Sequence, residues 1–92
     1  MAVNACKVRI EGIVQGVGFR FFTQDKAQEY GITGYVKNMY DGSVEAYAEG
    51  EKDILEKFIN DLKQGPRMSR VESTDVQWIE PENKYESFTI KF

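Results

Sequence analysis

The chain has 92 residues, 41% of them hydrophobic and 13% aromatic, so it can bury one core but not two, and the disordered and fibrous classes are excluded. We therefore expect a single domain over residues 1–92 with a radius of gyration of about 12 Å. Zero histidines, one cysteine and a net charge of -3 exclude imidazole catalysis, an internal disulfide and a metal site built from several Cys or His, and they disfavour nucleic acid or an anionic membrane as a partner.

Cys6-Lys7-Val8-Arg9-Ile10-Glu11 alternates apolar and charged residues, the period of a strand with one buried face. Its lone thiol reads as a small buried hydrophobe in a cytoplasmic protein. Residues 1–7 lack the basic start and long apolar run of a secretory signal, and no stretch reaches the ~18 apolar residues of a membrane span. Gly12 and the run Val14-Gln15-Gly16-Val17-Gly18 break the alternation. From Phe19 the spacing predicts a helix, with Phe19, Phe22, Ala27 and Tyr30 on one face and Gly31 as its stop.

Thr33-Gly34-Tyr35-Val36-Lys37 and Ser43-Val44-Glu45-Ala46-Tyr47-Ala48 read as a hairpin joined through Asp41-Gly42, with Val44, Ala46 and Ala48 facing the core. A second helix follows Gly50, carried by Ile54, Leu55, Phe58, Ile59 and Leu62, with Glu51 and Asp53 suiting its start, Lys63 its end, and Gly65-Pro66 stopping it. A longer strand is expected over 71–79, a turn over 80–84, and a short last strand in which Phe88, Ile90 and Phe92 alternate with Ser87, Thr89 and Lys91. Trp78, Met1, Met39 and Met68 read as packing or surface. The order strand, helix, strand, strand, helix, strand, then a short terminal strand is that of the ferredoxin-like split βαβ fold, an α+β arrangement with an antiparallel sheet and both helices on one face. The fold by itself assigns no function.

Charge narrows where an anion would bind. Residues 1–46 balance Lys7, Arg9, Arg20, Lys26 and Lys37 against Glu11, Asp25, Glu29, Asp41 and Glu45, so the whole deficit lies in the second half. In the neutral half, the segment from Ile10 to Arg20 runs from strand through a glycine-bearing loop into a helix. Such a junction aims backbone N–H groups at one point, where the helix start adds partial positive charge, and Arg20 adds a fork suited to phosphate oxygens. Gly16-Val17-Gly18 is neither a dinucleotide fingerprint nor a P-loop, because Phe21 follows and no Gly-Lys pair does; taken alone, the pattern equally suits an ordinary strand-to-helix turn with a surface arginine. In the second segment, Gly34 to Val44, Asn38 ends a strand; its amide can donate to and accept from one water, or serve simply as a turn former.

Both segments together resemble the acylphosphatase family. Residues 10–20 match its signature of an aliphatic residue followed by x-G-x-V-Q-G-V-x-F-R, and residues 34–50 match G-aromatic-V-K-N-x-x-x-G-x-V with a further glycine at Gly50. The resemblance spans essentially the whole chain. It implies metal-independent hydrolysis of small acyl phosphates to a carboxylate and inorganic phosphate, with no cofactor. It also implies that Arg20 and the backbone amides of Gln15, Gly16, Val17, Gly18, Phe19 and Arg20 hold the phosphoryl group, while Asn38 orients the attacking water. In some members the terminal carboxylate steadies that arginine, which would bring the Phe92 carboxylate to Arg20. A monomer is expected, with a small acyl phosphate, or inorganic phosphate at the loop, as ligand and no nucleic-acid or membrane partner.

Two alternatives come from other classes. An RNA-binding module of similar topology would stack bases on an open sheet face, but the strand faces here carry Lys7, Arg9 and Glu11, and Glu45, Tyr47 and Glu49, with one aromatic among carboxylates. A carrier of this fold either needs paired cysteines for copper, which one Cys cannot supply, or belongs to larger carbamoyl-transferring proteins that contain a similar domain.

Overall fold

A computed structural model describes residues 3–92; Met1 and Ala2, and with them the start of the amino-terminal segment, lie outside the described residues. The chain forms β1 (Asn4–Ile13), α1 (Phe19–Tyr30), β2 (Thr33–Asn38), β3 (Val44–Gly50), α2 (Lys52–Gln64), β4 (Arg70–Ile79) and β5 (Phe88–Lys91). The strands make one sheet in the order β4-β1-β3-β2-β5, and the Cα radius of gyration is 11.9 Å. This is the expected α+β, ferredoxin-like arrangement.

Period-two alternation sends Cys6, Val8 and Ile10 of β1 and Val44, Ala46 and Ala48 of β3 to one face. Against them pack Phe19 and Ala27 of α1 and Leu55, Phe58, Ile59 and Leu62 of α2, all buried. Each fully buried large side chain in this layer contributes roughly 1.5–3 kcal/mol of transfer free energy, which is what fixes both helices to the same face. Burial also pushes the Cys6 thiol up to about 11, so it stays neutral and behaves as the core hydrophobe its neighbours predict.

Three features differ from the sequence expectation. First, β1 continues past the break in alternation at Gly12. With φ at 134° this glycine absorbs a register shift between Glu11 and Gly12 against β4, and pairing continues to Ile13. Second, the sheet is mixed. β1 pairs antiparallel with β3 and β4, and β2 pairs antiparallel with β3, but β5 runs parallel to β2. A parallel partner requires a crossover rather than a tight turn, so residues 80–87 cross the sheet from the β4 edge to the β5 edge on the face without helices.

The third difference follows from that crossing. Tyr47 and Glu49 do not stand on an open polar face, since both are buried beneath the crossing segment. Glu49 Oε2 accepts from the backbone N–H of Glu82 at 2.8 Å and of Asn83 at 2.9 Å, and also from the Tyr47 hydroxyl. Tyr35, Tyr47 and Tyr85 pack with ring centroids 5.3–5.8 Å apart. A buried carboxylate is tolerated because its lone pairs meet three donors. Trp78 is 43% exposed with Lys52 Nζ over its ring, and Met68 is exposed, in keeping with a surface reading.

Gly34 permits the closest backbone approach in the sheet. A Cβ there would lie 1.8 Å from the Tyr47 carbonyl oxygen at a φ of 142°, so no side chain fits where β2 meets β3.

Candidate active site

The edge of the sheet where β1 ends and α1 begins brings the two segments together. β1 releases the chain at Ile13, and the loop reaches α1 through Gly16 at φ 76° and Gly18 at φ 78°. A Cβ at either glycine would meet nothing within 4 Å, so it is the left-handed backbone, and not crowding, that calls for glycine here. Gly18 is the N-cap of α1. It makes no side-chain cap hydrogen bond, and no acidic residue occupies the first turn. The first intrahelical bond from a backbone N–H back to Gly18 is that of Phe22. The preceding N–H groups of the turn therefore point outward with the positive end of the helix and no protein acceptor.

Across from this helix start, β2 ends at Asn38. The chain then turns: the Met39 N–H donates to Ser43 O at 2.8 Å, and the Gly42 N–H to Met39 O at 3.2 Å. Asp41 Oδ1 accepts from the Ser43 N–H at 3.0 Å and the Ser43 hydroxyl at 2.6 Å. The turn is joined to the glycine loop by Gln15, whose Nε2 donates to Met39 O at 2.8 Å and to Ser43 O at 2.9 Å. Sequence reasoning assigned Gln15 only a backbone amide. Its side chain is the brace that sets the distance between loop and turn, and nothing in local periodicity could have signalled it.

A cavity of about 90 Å³ lies between the two segments, lined by Val14, Gly16, Gly18, Phe19, Arg20, Phe21 and Asn38. Gly16, Gly18, Phe19 and Arg20 thus meet Asn38 at one site, whereas Gln15 and Val17 flank it without lining it. Val14 and Phe21 line it unforeseen. A water needs roughly 10–15 Å³ of such space, so the cavity has room for a small tetrahedral anion with a water beside it. Asn38 Oδ1 is buried there without a hydrogen-bond partner in the protein. An unpaired buried carbonyl oxygen is costly.

The carboxylates near the site face elsewhere. Glu11 and Asp41 line a separate depression with Glu72, and Arg9 bonds to both Asp41 and Glu11. The hydrogen bonds from Ser43, reinforced by Arg9, hold the Asp41 carboxyl below its ordinary range, which makes it a weaker proton acceptor than a free aspartate. Among the described residues no group of three or more His, Cys, Asp or Glu is placed to hold a metal ion.

Comparison with known proteins points the same way. A family model described as Acylphosphatase matches residues 6–90. The chain is 49% identical to an acylphosphatase of Thermotoga maritima over 98% of its own length and 99% of the relative's. It is 56% identical to an acylphosphatase of Thermus thermophilus over 77% of this chain and 81% of that one. The crystal structure of acylphosphatase from Bacillus subtilis superposes with a TM-score of 0.93 at 34% identity, covering 99% of this chain and 100% of that one.

Proposed function

The chain belongs to the acylphosphatase family, and from that premise we propose that it hydrolyses small acyl phosphates without a metal, holding the phosphoryl group at the start of α1 and the attacking water at Asn38. The observation that carries this reading is Asn38, whose Oδ1 is buried and unpartnered, lining one cavity together with Arg20 and the uncapped helix start. In this reading one wall donates to the anion and the other holds the water, so that nucleophile and electrophile stand side by side.

Arg20 and the backbone amides of residues 15–20 bind the phosphoryl oxygens. Water bonded to Asn38 attacks phosphorus; the bond from phosphorus to the acyl oxygen breaks, and its electron pair leaves on the carboxylate. The conjugate acid of that leaving group has a pKa near ~4, as side-chain carboxyls do, so no general acid is needed. Phosphoryl transfer through a loose transition state makes modest demands on the nucleophile. The water proton passes to a nonbridging oxygen of the substrate, because Arg20 is permanently charged and no carboxylate lines the cavity.

That assignment is tested with Glu11→Gln and Asp41→Asn. Both variants are expected to retain kcat within about tenfold, or roughly 1.4 kcal/mol; turnover abolished in either would make that carboxylate the base.

The same reading makes the protein a cytoplasmic monomer without nucleic-acid or membrane partners. Its support is the net charge of -3 and the single, buried thiol, together with Tyr47, which lies buried beneath the crossing segment and unable to stack on a base. Among the described residues no helix is long and apolar enough to cross a membrane.

A further inference from the structure

α1 opens with Phe19-Arg20-Phe21-Phe22, and its three phenylalanines are of two kinds. Phe19 is buried in the core and Phe22 packs against it, the two rings edge-on with centroids 5.9 Å apart. At 3.6 residues per turn Phe21 stands about 200° round the helix from Phe19, and it is 60% exposed. Among the described residues no other aromatic ring and no cationic side chain stacks on it. Phe21 nevertheless lines the cavity between the glycine loop and Asn38. Helical side chains tilt toward the N-terminus, so a residue of the first turn reaches over the helix start even from the face away from the core. The other apolar side chains lining the cavity, Val14 and Phe19, are buried in the core, which leaves Phe21 as the one apolar surface there that solvent still reaches.

Resting on the reading in which Arg20 holds the phosphoryl group and Asn38 the water, we infer that Phe21 is the specificity-determining residue for the acyl group, its ring forming the platform on which an apolar acyl chain or ring lies. Attacking and leaving oxygens are roughly in line in phosphoryl transfer, so the acyl group extends from phosphorus on the side away from the Asn38-bound water. Where it leaves the cavity, the ring offers it apolar area and no hydrogen-bond partner. An aliphatic or aromatic acyl group gains by covering that area. A hydroxylated, aminated or dicarboxylic acyl group loses water there and finds no donor or acceptor in return. The substrate class this selects is the phosphates of simple aliphatic and aromatic carboxylic acids, discriminated by a contact outside the reacting centre.

The test compares kcat/KM for acetyl, cyclohexanecarbonyl and benzoyl phosphate in the parent, Phe21→Ala and Phe21→Leu, with inorganic phosphate as inhibitor. The parent should prefer both ring substrates to acetyl phosphate. Phe21→Ala should lower the cyclohexanecarbonyl-to-acetyl and benzoyl-to-acetyl ratios about five- to twentyfold, the range for one apolar contact, and comparing the same substrates across variants cancels their intrinsic reactivities. Phe21→Leu, which keeps apolar area, should retain most of the cyclohexanecarbonyl preference. The phosphate inhibition constant should move less than twofold in either variant, because inorganic phosphate carries no acyl group. A parent without preference for the ring substrates would overturn the inference, as would ratios unchanged in Phe21→Ala or a phosphate constant that rises as far as the ratios fall. If Arg20→Gln weakens phosphate binding while the ratios ignore position 21, the inference alone falls. If Arg20→Gln leaves phosphate binding intact, the assignment of Arg20 falls and the inference with it. Phe21 is exposed and outside the core, so its variants fold and can be measured.

Discussion

Replacing Arg20 with Gln is expected to lower kcat/KM by at least 10²–10³, about 2.7–4 kcal/mol, the loss typical of one preorganised donor to developing negative charge. Arg20 occupies the first turn of α1 beside an uncapped helix start, so the two sources of positive potential at the cavity are the guanidinium and the backbone amides. Removing the first leaves the second, and residual activity should persist well above the uncatalysed rate. The inhibition constant of inorganic phosphate should rise in parallel, because the ground-state anion meets the same donor. Arg20→Lys should recover only part of the loss, since an ammonium keeps the charge but not the planar fork that pairs with two oxygens. Steady-state kinetics with phosphate inhibition check all three statements. Unchanged thermal stability should accompany them, because no ion pair among the described residues depends on Arg20.

Asn38→Ala should separate turnover from binding. We expect kcat to fall by a similar 10²–10³ while the phosphate inhibition constant stays within about threefold, since the proposed role of Asn38 is to hold the water and not the anion. The stability of this variant is informative as well. Asn38 Oδ1 is buried without a protein partner, and removing an unsatisfied buried oxygen is neutral or stabilising. A variant that is inactive yet melts at or above the parent temperature is the expected signature of a group kept for function at the expense of stability. Equal loss of phosphate affinity in Arg20→Gln and Asn38→Ala would remove the division of roles between them.

Local periodicity made most of the architecture legible. The alternation of Cys6, Val8 and Ile10 and the helical spacing of Leu55, Phe58, Ile59 and Leu62 each carry their own burial, so the elements and their core faces could be written down from one sequence. Pairing between distant segments has no such local sign. That β5 crosses to lie parallel to β2, and that residues 80–87 consequently cover Tyr47 and Glu49, is decided by which sheet edge is free and by the hydrogen bonds Glu49 can offer the crossing backbone. Gly12 was legible only as a break in the alternation for a related reason, since a glycine that ends a strand and one that bulges it look the same until the partner strand is present.

The site divides along the same line. Arg20, Asn38 and the two glycines could be picked out because their chemistry and spacing are written in short motifs. The brace at Gln15 could not, because it acts on residues far along the chain, Met39 and Ser43. What the sequence leaves blank is therefore the support around the chemistry rather than the chemistry itself. The absence of histidine, first a restriction, is consistent with a reaction whose leaving group needs no proton and whose nucleophile needs only to be held.

The central claim, that a cavity walled by Arg20 and Asn38 hydrolyses an acyl phosphate without a metal, is tested most directly by phosphate release from acetyl phosphate in the presence of excess chelator. The parent protein should release phosphate at the same rate with and without chelator, and Arg20→Gln should lose at least 10² of that rate under both conditions. Activity abolished by the chelator and restored by a divalent cation, or an Arg20→Gln variant as fast as the parent, would contradict it.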